Sequence, residues 1–146
     1  MKRVAALGLD VGKKRLGVAG CDGTGLIATG LTTINRTTWH EDLRQLKSLV
    51  KEREVEILVV GLPYNLDGTL GFQAQKVQKF AKKLAHNLQL PIEYVDERLT
   101  SVEAELQLKA QKKFSSHNKG DIDRRAAAII LQQWLDRRRK ETKSEL

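Results

Sequence analysis

Cysteine is almost missing from this chain, and that narrows its chemistry at once. Cys21 stands alone among 146 residues, so no internal disulfide can form and no metal cluster can be built on thiolates. Long apolar runs are missing too: none approaches the roughly 20 residues that a membrane helix needs. There is no low-complexity tract of the kind that marks disorder and no internal repeat. What is present suits one compact domain, with 40% hydrophobic residues to supply a core. The first residues, MKRVAALGLD, start basic and then turn apolar. Asp10 interrupts that run and no cleavage-site pattern follows, so we expect a buried first strand in an unprocessed, cytoplasmic protein rather than a leader.

The net charge of +8 is unevenly spread. Between Lys109 and Lys143 stand 11 Lys or Arg against 4 acids, so nearly all the excess lies in the last quarter of the chain. A clustered basic surface is the footprint of a polyanion partner. The competing explanation is a solvated helix face followed by a soluble tail, and Arg137 to Lys140 fit that description.

Along the chain, residues 4–10, 15–21 and 25–34 are apolar or β-branched runs joined by glycine-containing turns, Gly12 in the first and Asp22-Gly23 in the second. They predict a three-stranded antiparallel meander. Thr38-x-x-Glu41 predicts a capping box, with Leu43, Leu46 and Val50 following at helical spacing. Residues 55–60 are too apolar for an edge strand and predict a central one. A loop, GLPYNLDGT, runs from 61 to 69. Next comes a helix whose stripe is Val77, Phe80, Ala81, Leu84, Ala85 and Leu88, and then a short strand from Ile92 to Asp96. Thr100-x-x-Glu103 predicts another helix start, residues 110–120 a basic loop, and residues 121–139 a last helix. The order predicts an α/β fold: a mixed five-stranded sheet, meander plus two parallel strands, with helices on its faces. We expect one domain over 1–139 and a basic C-terminal tail over 140–146.

Acids at strand ends and helix starts are the candidates for chemistry. Asp10 closes the first strand on the face opposite Leu7 and Leu9, where a carboxylate is costly unless it is paired or binds a cation. Asp96 and Glu97 close the last strand, and at most one of them can share a site with Asp10. Asp123 falls on the buried stripe of the last helix with Ala126, Ala127, Ile130 and Trp134, while Asp121, roughly 200° round the helix, suits an N-cap. Asp10, Glu97 and Asp123 could therefore meet at one end of the sheet. Carboxylates without histidine or cysteine favour Mg²⁺ or Mn²⁺. A pair of such ions can activate water and stabilise the leaving oxygen of a phosphodiester. Lys13, Lys14, Arg15 and Arg98 flank these acids and could hold phosphates.

The segments GLDVGKKRLGVAGCD (8–22), VVGLPYNLDGT (59–69), DERLTSVEAE (96–105) and NKGDIDRRAAAIIL (118–131) resemble, in order and across most of the chain, the YqgF (RuvX) family. That family is described as Holliday junction resolvases and as nucleases of ribosomal RNA precursors. The resemblance implies a ribonuclease H-like fold and a metal-dependent nuclease maturing the 5′ end of pre-16S ribosomal RNA. Carried over, the acidic positions are Asp10, Glu97 or its neighbour Asp96, and Asp123. The pattern departs at Asp121, where a basic residue is usual. That leaves Asp121 and Asp123 open as the metal-facing acid, helical phase favouring Asp123. Gly20-Cys21 stands where a small residue and Ser are usual.

Further cations assigned to nucleic-acid binding are Lys112, Lys113, Lys119 and Arg124. His40 and His86 read as helix-surface residues, and His117 as a surface residue of the basic loop. Asp67 reads as a turn former. Trp39, Phe72, Phe80 and Trp134 read as packing residues, with Phe114 and Tyr64 better placed to meet a base. The primary expectation is an endonuclease acting on structured RNA as monomer or homodimer, with no membrane partner. The alternatives are a resolvase of branched DNA and a non-catalytic protein binding RNA or the transcription machinery. An actin-like or sugar-kinase ATPase shares the D-x-G strand end but needs two such domains.

Overall fold

Alternation of side chains along the first strand sets the architecture. The computed structural model describes residues 3–65, 67–97 and 119–144. Strand β1 (Ala6–Val11) pairs antiparallel with β2 (Arg15–Cys21), which pairs antiparallel with β3 (Ala28–Asn35). On its other side β1 pairs in parallel with β4 (Ile57–Leu62), and β4 with β5 (Ile92–Asp96). The sheet order is β3-β2-β1-β4-β5, so the meander and the two parallel strands stand as expected and β4 is central.

Helices α1 (Trp39–Arg53) and α2 (Phe72–Leu88) connect the parallel strands, and α3 (Lys119–Ser144) follows the sheet. Leu7, Leu9 and Val11, with Leu58, Val60 and Leu62, point to the side of α1 and α2 and join Leu46, Val77, Ala81 and Leu84. The alternate residues Ala6, Ala19, Cys21 and Val59 point the other way, onto Ala127, Ile130, Leu131 and Trp134 of α3. Burying a leucine as completely as Leu7 or Leu131 stabilises the fold by roughly 1.5–3 kcal/mol each. The two-sided cover explains why β4 is apolar throughout. No helix among the described residues is long and apolar enough to cross a membrane.

Local signals hold in detail. Thr38 caps α1, its hydroxyl accepting from the Glu41 amide at 3.2 Å. The other half of the box is not made, because the Glu41 carboxylate turns to Arg44 instead. Asp22 organises the β2–β3 turn by accepting from the amides of Leu26 and Ile27. Asp67 accepts from the Thr69 amide at 2.9 Å, as a turn former does. His40 and His86 are exposed on their helices.

Three expectations need correction. The last helix, read as about 121–139, runs over Lys119–Ser144. Within it Arg139 donates to the Gly25 carbonyl at 2.8 Å and pairs with Asp136, tying the helix to the β2–β3 turn. Asp121 consequently lies in the first turn rather than at the N-cap, bonded to Arg124 Nη2 at 2.9 Å. Phe72 is 74% exposed. It is the first residue of α2, one turn before the apolar stripe turns inward, and the Lys76 ammonium sits over its ring. The capping box at Thr100 and residues 110–118 of the basic loop expected over 110–120 lie outside the described residues, and 119–120 belong to α3.

Candidate active site

Asp10 is the residue about which the site is built. In the sheet it faces Gly17 of β2, and its predecessor Leu9 faces Val60, the residue before Gly61 of β4. Each of these glycines is a gap that another element fills. A methyl group on Gly17 would collide with the carbonyl oxygen of Asp123, so the absent side chain lets the start of α3 rest on β2. A methyl group on Gly61 would lie 2.9 Å from Glu97 Cγ and 2.5 Å from Ile130 Cδ1. Two bare positions on the neighbouring strands thus admit two acids beside a third.

Asp10 interacts with both of the other acids, through a hydrogen bond with Glu97 and through the charge of Asp123. Glu97 donates a hydrogen bond to Asp10, and its pKa is pushed up to about 10, by burial first and then by the Asp10 and Asp96 charges. Asp10 is raised as well: burial is the largest cause, the bond from Glu97 works against it, and the Asp123 charge adds to it. Glu97 therefore keeps its proton at neutral pH and shares it with Asp10. Asp123 is turned into an ion pair, its Oδ2 accepting from Arg15 Nε at 2.7 Å. Among the described residues no three His, Cys, Asp or Glu side chains stand in a ready-made cation cage. Asp10 and Glu97 close on their proton, and Asp123 on Arg15. The donor set itself is all oxygen and half-buried, which is the chemistry of a hard divalent cation site once Glu97 has lost its proton.

The expected partners divide. Lys13 and Lys14 are exposed in the turn that follows Asp10. Arg15 is committed to Asp123. Arg124 packs over Gly30 of β3 and bonds Asp121 and Thr33, two strands away from β1. Arg98, Lys112, Lys113, Phe114 and His117 lie outside the described residues, as does the side chain of Lys119. Of the two acids closing β5, Glu97 is the one bonded to Asp10.

A model of the RuvX family, described as Holliday junction resolvase, matches residues 4–137. The chain belongs to this family. A RuvX relative from Crocosphaera subtropica, named "Putative pre-16S rRNA nuclease", is 73% identical over 139 residues, covering 95% of this chain and 97% of its own. One from Synechocystis sp., with the same name, is 67% identical over 138 residues, covering 94% and 91%. Among solved structures, Thermus thermophilus RuvC in complex with a Holliday junction superposes with a TM-score of 0.59 at 13% identity, covering 92% of this chain and 95% of that one. A second Thermus thermophilus RuvC structure superposes with a TM-score of 0.58 at 13% identity, covering 94% and 97%. These two confirm the ribonuclease H-like fold.

Reading this RuvX sequence for acids alone overlooked Gly17 and Gly61. The signal was available: glycine weakens a strand interior, so one placed there marks a close approach of something else. The pairing of Arg15 with Asp123 had no such signal, because 107 residues separate them.

Proposed function

We propose that this protein is a metal-dependent endonuclease that hydrolyses phosphodiesters of precursor 16S ribosomal RNA, and that Asp10, Glu97 and Asp123 hold the metal. The observation that carries this reading is the convergence on Asp10, at the end of β1, of Glu97 from the end of β5, hydrogen-bonded to it, and of the Asp123 charge from the start of α3. Interacting half-buried acids destabilise the fold unless a proton or a cation neutralises them. The names of relatives 67–73% identical over nearly the whole chain supply the substrate class.

When bound, a pair of Mg²⁺ or Mn²⁺ ions would supply an activated water and Lewis-acid stabilisation of the leaving oxygen. The protein's own share is to hold charge in place. Asp10 is fixed by the β1 ladder, Glu97 is seated over Gly61, and Asp123 is oriented by Arg15. Glu97 must give up its proton before it can act as a ligand. Lys13 and Lys14, exposed beside Asp10, are suited to the phosphates of the incoming strand. A second reading, cleavage of branched DNA, is favoured by the family's description as a resolvase.

The test is incubation of the pure protein with precursor ribosomal RNA and with a four-way DNA junction, in Mg²⁺, Mn²⁺ or EDTA, beside Asp10→Asn. We expect RNA cleavage that needs the metal and falls by about a thousandfold or more in the variant, while RNA binding persists. Cutting in EDTA, or an Asp10→Asn protein as active as the parent, would overturn the mechanism. Cutting of the junction but not of RNA would move the substrate to DNA.

A further inference from the structure

A cleft of about 550 Å³ opens on the sheet face opposite α3, between α1, α2 and the β1–β2 turn. Four cations, Lys13, Arg36, Lys76 and Lys83, line it against one acid, Asp42. Of its lining only Lys13, already set against the incoming phosphates, belongs with the carboxylate site; it is three residues from Asp10, a Cα separation of at most about 10 Å. Cleft and carboxylates therefore share one end of β1.

The cations are held rather than scattered. Arg36 donates through Nη1 to the Gly12 carbonyl at 2.7 Å and stacks 4.5 Å from the centre of the Phe80 ring. The Lys83 ammonium sits 4.2 Å from the centre of the Trp39 ring, and Trp39 meets Phe80 edge to face at 5.8 Å. Asp42 is only 3% exposed; it accepts from the Thr37 amide at 3.1 Å and stands 4.0 Å from Arg36 Nε. Its charge is thus spent on Arg36 and the α1 start, leaving the three lysines as the excess. Lys76, Phe80 and Lys83 follow at i, i+4 and i+7, so α2 presents its cations and its aromatic along one stripe. Cations pre-placed on aromatic rings lose little freedom when an anion arrives.

We propose that this cleft is a second anchor for the substrate, gripping the phosphodiester backbone of one RNA strand as it leaves the carboxylate site. A volume of this size matches a small-ligand site; it accommodates a short run of single strand and is too small for a duplex. The proposal rests on the nuclease reading for its substrate, and the test separates the two.

Binding of a fluorescein-labelled single-stranded RNA is measured by anisotropy in EDTA across a salt series. The proteins are the parent, Lys76→Gln/Lys83→Gln, and a control of equal charge change on the same helix, Lys79→Gln/Lys82→Gln. All four lysines are exposed, and circular dichroism checks the fold. We expect the cleft pair to weaken binding about tenfold and to flatten the salt dependence by about 1.4, two single-strand phosphate contacts, with the control within twofold of the parent. Equal loss in both pairs, or none in either, overturns the anchor and leaves the nuclease reading standing. A parent protein that binds no RNA overturns both. Cleft-specific loss in a protein that cuts nothing in Mn²⁺ supports the anchor and overturns the nuclease reading.

Discussion

Arg15 and Asp123 close the site from the side: Nε of the one donates to Oδ2 of the other at 2.7 Å, joining the first residue of β2 to the first turns of α3. The pair is partly buried, with side chains 32% and 19% exposed, so solvent screens it only in part. It orients Asp123, and it also competes with any cation for the same carboxylate.

That competition predicts the behaviour of Arg15→Gln. Freed of its guanidinium, Asp123 should bind Mn²⁺ several-fold more tightly by titration calorimetry, while the fold loses about 1 kcal/mol or less. Unchanged Mn²⁺ affinity would mean that Asp123 is not a ligand.

The proton held by Glu97 predicts a pH dependence. The folded pKa of about 10 lies above the ordinary 4.5, so between these values the native state binds a proton that the unfolded chain has lost. Stability therefore falls as pH rises through that window. Glu97→Gln imitates the protonated acid and removes the dependence. In urea melts with EDTA, the parent should lose more stability than the variant between about pH 6 and about pH 9, both inside the window from 4.5 to about 10. Parallel losses would count against the shared proton.

Metal binding must expel the same proton. Titrating Mn²⁺ near neutral pH, in buffers of different ionisation enthalpy, should report release of about one proton per protein. Glu97→Gln should release none. Proton release that is equal in both proteins would place the proton elsewhere.

Gly17 is under steric constraint and Gly23 is not. A Cβ on Gly17 strikes the Asp123 carbonyl, whereas one on Gly23 meets only Arg3 Cγ, at 3.6 Å. Gly17→Ala should cost about 1–3 kcal/mol in denaturant unfolding and reduce cleavage by displacing α3. Gly23→Ala should stay within about 0.5 kcal/mol. Equal stability of the two variants would show that α3 can shift off β2 at no cost.

Short-range pattern carried much of this protein. Period-two alternation in residues 4–10 put Leu7 and Leu9 on one face and Asp10 on the other. Helical phase put Asp123 on the stripe of Ala127 and Ile130, which the structure buries. Those are local facts of backbone geometry, and a residue's neighbours in sequence are enough to establish them.

What only the folded chain decided depends on contacts through space. Glu97, not Asp96, bonds to Asp10, because Gly61 leaves it room. Arg15 turns to Asp123 rather than outward, and Arg139 ties α3 to the β2–β3 turn through the Gly25 carbonyl. The cations of α2 look like an ordinary solvated face until the β1–β2 turn and Arg36 are brought against them. Periodicity assigns a side chain to a face; it cannot say which distant group waits there, since that follows from strand order and the packing of helices on the sheet.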